Sequence, residues 1–104
     1  MLLLFGNKAE AINTLVDAVA ASLQIVLEKH DSLFHGGDYY RSVSGPDEVI
    51  LQTNNDGGPP EEQAEEDFPD YPVLLYVTTE SKDVVMQRLA GCRIQFTLLR
   101  ESKS

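Results

Sequence analysis

A long apolar stripe near the start of the chain constrains the fold more than any other feature. The spacing predicts one buried face on a helix that begins after Asn7, a candidate N-cap, and runs to about His30. Lys29 and His30 would then complement the helix dipole in the last turn. A helix of roughly 23 residues would be about 35 Å long, so we expect the sheet to rest on it. The stripe consists of Ile12, Leu15, Val16, Val19, Leu23, Val26 and Leu27.

Short runs of β-branched and aromatic residues, bounded by turn residues, predict five strands. They cover residues 2–5, 39–43, 49–53, 73–79 and 93–99. A second, shorter helix is predicted before the last strand, with Ser81 as its N-cap and Gly91 just after its last turn. The predicted order is β-α-β-β-β-α-β. This order indicates an α+β two-layer sandwich, in which one long N-terminal helix and one short helix cover a mixed β-sheet.

The length of the chain, 104 residues, suits one domain, and its 42% apolar content suffices for a small core. We therefore expect residues 1–104 to form a single domain with an acidic, Pro/Gly-rich loop at 54–72. A single cysteine, Cys92, excludes an internal disulfide and suits a reducing compartment. The apolar run at 2–5 is too short for a signal peptide, and no run is long enough for a membrane span. The sequence predicts a soluble, cytoplasmic protein.

The negative charge of the chain is concentrated in one segment. The formal net charge is -9, and residues 56–70 contain seven carboxylates and no Lys or Arg. Such a block is hard to bury, so its simplest interpretation is a solvated loop. As a binding surface it would favour a basic protein and disfavour nucleic acid or an anionic membrane. The seven acids are Asp56, Glu61, Glu62, Glu65, Glu66, Asp67 and Asp70.

Aromatic residues interrupt and flank this acidic segment. Phe68 and Tyr71 lie among its last carboxylates and prolines, and Asp38 is followed by Tyr39 and Tyr40. We expect this tyrosine pair to split across a strand, with one ring inward and one at the surface. Aromatic anchors surrounded by charge are typical of protein–protein interfaces. The predicted partner-binding site therefore combines the seven acids with Phe68, Tyr71, Asp38 and Tyr39.

No residue pattern indicates catalysis or metal binding. His30 and His35 lack a second ligand at metal-binding spacing, and the donors around Asp56 do not match an EF-hand loop. The glycines after His35 form a turn, because no nucleophile elbow accompanies them. Cys92, between a helix end and a strand, is interpreted as a small buried residue. We expect a protein that is not an enzyme and has no cofactor.

In size, acidity, α+β pattern and lack of a catalytic motif, the chain resembles the small immunity proteins of bacterial contact-dependent inhibition and related polymorphic toxin systems. The resemblance is carried by the acidic segment 56–70 and by the aromatic clusters at Tyr39 and Tyr71. It implies an inhibitor that places carboxylates, in the position of phosphates, over the active-site cleft of a basic, nuclease-type toxin domain. The alternative is a small ligand-binding or regulatory domain with a pocket between sheet and long helix, and with the acidic loop as its lid; an enzyme acting in that pocket is a third option.

Overall fold

Six strands and two helices are seen in the computed structural model, which describes residues 1–8, 12–32, 37–42, 47–54, 68, 70–92 and 94–102, with the backbone alone at 31–32 and 37–38. The α+β class is thereby confirmed. Of the two described helices, neither has the length and apolar character needed to cross a membrane. The elements are β1 (Leu2–Asn7), α1 (Ile12–Leu23), β2 (Leu27–Ser32), β3 (Gly37–Ser42), β4 (Glu48–Thr53), β5 (Val73–Thr78), α2 (Lys82–Ala90) and β6 (Thr97–Ser102).

The strands form one sheet in the order β2-β3-β4-β5-β1-β6. Every pair of neighbours is antiparallel, so the predicted mixed sheet is wrong. The strands β5 and β6 both pair with β1, and they therefore run parallel to each other on either side of it. Helix α2 connects them as the crossover of a split β-α-β unit. The predicted crossover thus exists, but β1 occupies the place between its two strands.

The apolar stripe is real within α1, where it buries Leu15, Ala18, Val19 and Leu23. The helix nevertheless ends at Leu23 instead of near His30. Gln24 has a left-handed backbone with φ of 57°. The N–H of Ile25 donates to the carbonyl oxygen of Ala20 at 3.0 Å, which is the six-residue closure of a Schellman C-cap. Because the cap reverses the chain direction, the helix cannot continue.

Residues predicted as the last turns of the long helix form the edge strand β2. Val26, on the predicted stripe, is 61% exposed, and Lys29 and His30 pair with β3. The guanidinium Nη1 of Arg88, on α2, donates to the carbonyl oxygen of Leu23 at 3.1 Å and thereby satisfies a terminal carbonyl of α1. A contact between the two helices thus helps to fix the C-terminal end of α1, which the spacing of apolar residues did not predict.

The two predicted N-caps differ in outcome. Asn7 belongs to β1, and its side-chain Nδ2 donates to the carbonyl oxygen of Gln95 at 2.9 Å. A cap by Asn7 stays a prediction. Ser81 occupies the N-cap position of α2, but its side chain makes no capping hydrogen bond. The hydroxyl of Thr79 instead accepts a hydrogen bond from the Ser81 N–H at 3.0 Å. Residues 9–11 lie outside the described part of the chain.

The core lies between both helices and one face of the sheet. Alternate residues of the three central strands point into it, and the helices contribute Leu15, Val19, Leu23, Val85 and Leu89. Two layers therefore share a single described core, as a sandwich of helices on a sheet requires. The sheet residues of this core are Leu3 and Phe5 from β1, Val49 and Leu51 from β4, and Val73, Leu75 and Val77 from β5.

The last strand is shifted from its predicted position. It spans Thr97–Ser102 instead of 93–99, and its register with β1 shifts between Leu4 and Phe5. The ammonium of Lys82, at the start of α2, lies 2.9 Å from the carboxylate of Glu101. The alternation of Ile94, Phe96 and Leu98 indicated a strand correctly in kind. However, the chain joins the sheet only at Thr97, beyond Gly91 and the turn that follows it.

Candidate interaction surface

The face of the sheet opposite the helices is called the second face below. It consists of the residues that alternate, along each strand, with those that point into the core. Two rows of cross-strand neighbours run across all six strands, because each antiparallel register places partners on the same face. One row is Glu28, Arg41, Ile50, Tyr76, Leu4 and Arg100; the next is His30, Tyr39, Gln52, Leu74, Gly6 and Thr97.

The part of the second face over β2 and β3 is polar and at least partly exposed, whereas on β4 Ile50 is half-buried and Gln52 is buried. The rings of His30 and Tyr39 stack with centroids 5.4 Å apart, and His30 Nε2 lies 3.2 Å from a carboxylate oxygen of Glu28. The guanidinium of Arg41 donates to Glu48 at 3.2 Å, and both of these side chains are half exposed. Exposed ion pairs of this kind contribute only about 0–1 kcal/mol to stability. They can therefore be exchanged for contacts with another molecule at little cost.

The other half of the second face, over β5 and β1, is apolar and contains a tight contact at Gly6. Leu4 and Leu74 are 1% and 0% exposed although they point away from the core between sheet and helices. The ring of Tyr71 lies directly on Gly6. A Cβ atom placed there would be 2.5 Å from Tyr71 Cδ1 and 2.8 Å from Leu99 Cδ1. The absent side chain of Gly6 is therefore the space that the tyrosine ring occupies.

A cation also lies over the Tyr71 ring. The ammonium Nζ of Lys8 lies 4.8 Å from the ring centroid, within the range of a cation–π interaction. Lys8 is exposed and Tyr71 is half-buried. The backbone N–H of Tyr71 also donates to the carbonyl oxygen of Phe68 at 3.2 Å, which fixes the local turn. The ring is therefore in contact with Gly6, held through its own backbone, and close to a positive charge.

Asn54 fastens the two ends of the acidic segment together. Its backbone N–H donates to the carbonyl oxygen of Pro72 at 2.8 Å, and its side-chain Nδ2 donates to that of Phe68 at 3.0 Å. Asn54 is buried, and it follows directly on the last β4–β5 pair, Thr53 with Val73. The chain therefore leaves the sheet after Asn54 and comes back to it at Phe68, at the same end of strands β4 and β5. This end lies beside the row that contains Gly6 and Leu74.

The structure brings part of the predicted site together. Phe68, Asp70 and Tyr71 lie at the base of the acidic segment, and Tyr39 lies on the second face in the row of Gly6. Three inter-strand steps separate Tyr39 from Gly6, about 14 Å in all. Tyr40 packs against the core, so the predicted split of the tyrosine pair is confirmed. The side chains of Asp38, Asp56, Glu61, Glu62, Glu65, Glu66 and Asp67 lie outside the described part of the chain.

Three residues of this surface were not identified from the sequence: Gly6, Lys8 and Asn54. Gly6 carried a usable signal, because a glycine next to an apolar strand often marks a close approach by another group. Lys8 and Asn54 carried none, since their partners Tyr71 and Phe68 are distant in sequence. Contacts of this kind become visible only when the strand order is known.

Two hollows lie away from this surface. One of about 420 Å³ is lined by residues that include Met1, Thr79 and Arg88, and one of about 300 Å³ lies beside Ala21 and Cys92. Cys92 is a free thiol and is half-buried, somewhat more exposed than predicted. Among the residues that the structure describes, no cluster of His, Cys, Asp and Glu could hold a metal ion.

Comparison of the chain with protein-family models, curated proteins and solved structures finds no match.

Proposed function

We propose that this protein is an inhibitor that binds a basic protein and neutralises it, with the acidic segment 56–70, and above all its part between Asn54 and Phe68, as the principal contact. The observation that carries the proposal is the pair of hydrogen bonds by which Asn54 holds Pro72 and Phe68. Through them, a segment with six carboxylates starts and ends at one fixed place on the sheet. Fixing both ends lowers the conformational entropy that the segment loses when it binds.

Charge determines the kind of partner. The six carboxylates between Asn54 and Phe68 are accompanied by no Lys or Arg, so their field attracts a positively charged surface and speeds association. A nuclease-type toxin domain has such a surface because it must hold a phosphate backbone. Carboxylates placed over its cleft would occupy the positions of phosphates. Close charge pairs in a different nuclease–inhibitor complex are coupled by about 1.5–7 kcal/mol, which is enough for tight inhibition.

The alternative, a ligand-binding or regulatory domain with the acidic loop as a lid, receives less support. The space between the helices and the sheet is filled by side chains such as Leu15, Val19 and Leu75, each 0% exposed. The larger hollow lies at the Thr78 end of β5, whereas the acidic segment is anchored at the Val73 end. About 17 Å of strand separates the two ends. A lid attached at Asn54 would thus start far from this hollow.

A binding titration at two salt concentrations tests the proposal. The partner is first isolated by pull-down from the native host, or expressed from a neighbouring reading frame that encodes a basic domain. The test variant replaces Glu61, Glu62 and Glu65 by Gln. The control variant removes the same charge from exposed acids elsewhere, with Asp17 and Asp83 changed to Asn and Glu80 to Gln.

The expected result is slower association and weaker binding in the test variant, and a much smaller effect in the control. Affinity of the wild-type protein should fall as salt rises, because exposed charges are screened beyond about 8 Å at physiological ionic strength. Equal effects of the two variants would show that net charge, rather than the acidic segment, determines binding. Affinity that ignores both salt and the test variant would refute the proposal.

A further inference from the structure

We propose that the face of the Tyr71 ring over which Lys8 lies, together with the carboxylate of the preceding residue Asp70, is a receptor for an arginine side chain of the basic partner. This inference rests on the proposed function and deepens it by naming the group that the partner contributes. Lys8 occupies the same ring in the unbound protein. The Lys8 ammonium takes the position of the partner's guanidinium, which displaces it on binding.

The ring is held in place before a partner arrives. Gly6 leaves space for it, since a Cβ atom at that position would approach Tyr71 Cγ to 2.7 Å. The hydrogen bond from the Tyr71 N–H to the Phe68 carbonyl oxygen fixes the backbone, and Asn54 ties the same carbonyl to the end of β4. A ring that is already immobilised loses little entropy on binding. The receptor is therefore preorganised by the sheet.

The position of Lys8 indicates what the ring binds. Its ammonium lies 4.8 Å from the ring centroid, so the electron-rich face of Tyr71 already accepts a cation. Asp70 precedes Tyr71 in the chain and is exposed, so its carboxylate is accessible to a partner that reaches this ring. A planar guanidinium is less strongly hydrated than an ammonium and stacks on aromatic rings while it pairs with a carboxylate. Arginine thus fits this pair of groups better than lysine does.

Lys8 should weaken binding in two ways. It covers the ring that the partner needs, and its charge repels an incoming cation. Because Lys8 is exposed, it can leave the ring for solvent at small cost. Removing its charge should therefore improve binding specifically through Tyr71. If the gain from removing the Lys8 charge depends on Tyr71, the partner binds at this ring. A general effect of charge would be the same with or without Tyr71.

The probes are dye-labelled nona-arginine and nona-lysine peptides, and their binding is measured by fluorescence anisotropy. Tyr71→Leu should lower affinity for nona-arginine roughly 2- to 30-fold, the range expected for loss of a cation–π contact. Tyr71→Phe keeps the aromatic face and should bind nearly as the wild type does. The preference for nona-arginine over nona-lysine should shrink in Tyr71→Leu and persist in Tyr71→Phe.

Lys8→Met is compared with Lys29→Met, which removes the same charge from an exposed position that the β2–β3 register places on the opposite face of the sheet. In the wild-type background Lys8→Met should raise affinity for nona-arginine more than Lys29→Met does. In the Tyr71→Leu background this difference should vanish. Thermal unfolding of each variant checks its fold. If Tyr71→Leu does not fold, the lysine comparison is made in Tyr71→Phe, where the difference should remain.

The triple Gln variant of Glu61, Glu62 and Glu65 separates the two proposals. If it weakens peptide binding while changes at Tyr71 and Lys8 have no specific effect, the inhibitor proposal stands and the arginine receptor is wrong. If only Tyr71 and Lys8 matter, the receptor stands and the acidic segment loses its role. Nona-arginine that fails to bind, or equal effects of Lys8→Met and Lys29→Met in every background, would overturn the receptor.

Discussion

Gly6→Ala is the sharpest test of the packing on the second face. Backbone conformation does not oppose the change, since only space is lacking, and a glycine in a strand is less favourable than alanine by roughly 0.5–1 kcal/mol. The added methyl would, however, lie 2.5 and 2.7 Å from two atoms of the Tyr71 ring and 2.8 Å from Leu99. Overpacking of this kind costs about 1–3 kcal/mol. We therefore expect a net destabilisation of about 1–2 kcal/mol.

Urea denaturation followed by circular dichroism measures this loss. The midpoint should fall while the m-value stays unchanged, because the change affects packing and not the surface exposed on unfolding. Gly91→Ala is the control, since a Cβ at that position would lie 3.6 Å from its nearest neighbour, an ordinary contact. Its backbone, with φ of -83°, suits alanine. This control should be as stable as the wild type or slightly more stable.

A second variant tests the cause of the loss. In a Tyr71→Ala background the ring is absent, so Gly6→Ala should cost less than it does alone, and the difference measures the coupling of the two positions. The contact with Leu99 remains, so the rescue should be partial. If Gly6→Ala proves neutral or stabilising, the ring of Tyr71 does not pack on Gly6. The proposed arginine receptor then lacks the contact that holds its ring in place.

Three further changes test other parts of the structure. Gln24→Gly should stabilise the protein by about 0.5–1 kcal/mol in urea denaturation, because glycine adopts the left-handed conformation without strain; a loss would contradict the cap. Leu23→Ala should cost roughly 2–5 kcal/mol, whereas Val26→Ala should cost under about 0.5 kcal/mol. Similar losses at both positions would instead favour a helix that continues past Leu23. Asn54→Ala should lower stability by about 0.5–1.5 kcal/mol by removing the side-chain hydrogen bond to the Phe68 carbonyl oxygen, which then keeps only the Tyr71 N–H as a donor. It should also weaken partner binding more than Gln52→Ala does. Equal effects would argue against a role of Asn54 in holding the two ends of the acidic segment together.

The sequence predicted five of the six strands and both helices in kind, but it mistook where the first helix ends. Val26 and Leu27 continue the three- and four-residue spacing by coincidence, and no glycine marks the left-handed position at Gln24. The strand that follows, Leu27–Ser32, is a charged edge strand, so it lacks the apolar alternation of a half-buried one. A donor from α2, Arg88, then satisfies a carbonyl at the helix end. Only tertiary contacts reveal such an end.

The candidate surface was predictable in its charge and not in its geometry. Composition alone located the acids near Phe68 and Tyr71, because clustered carboxylates are visible in any sequence. Direction of pairing was not visible, since antiparallel and mixed sheets use similar strands, and so the place of β1 beside β5 could not be deduced. That placement is what brings Gly6 and Lys8 to Tyr71.

The position of β1 has a consequence for biosynthesis. Leu3 pairs with Val77 on one side and with Glu101 on the other, so this strand has no partner until β5 has been made, and its second side stays unpaired until β6 has been made. Pairings between segments so distant in sequence form slowly, because a long loop must close before any contact is gained. During that interval the apolar residues of β1 have no strand to pair with. A growing chain of this protein would therefore expose an unpaired apolar strand for most of its synthesis, which favours aggregation during that time.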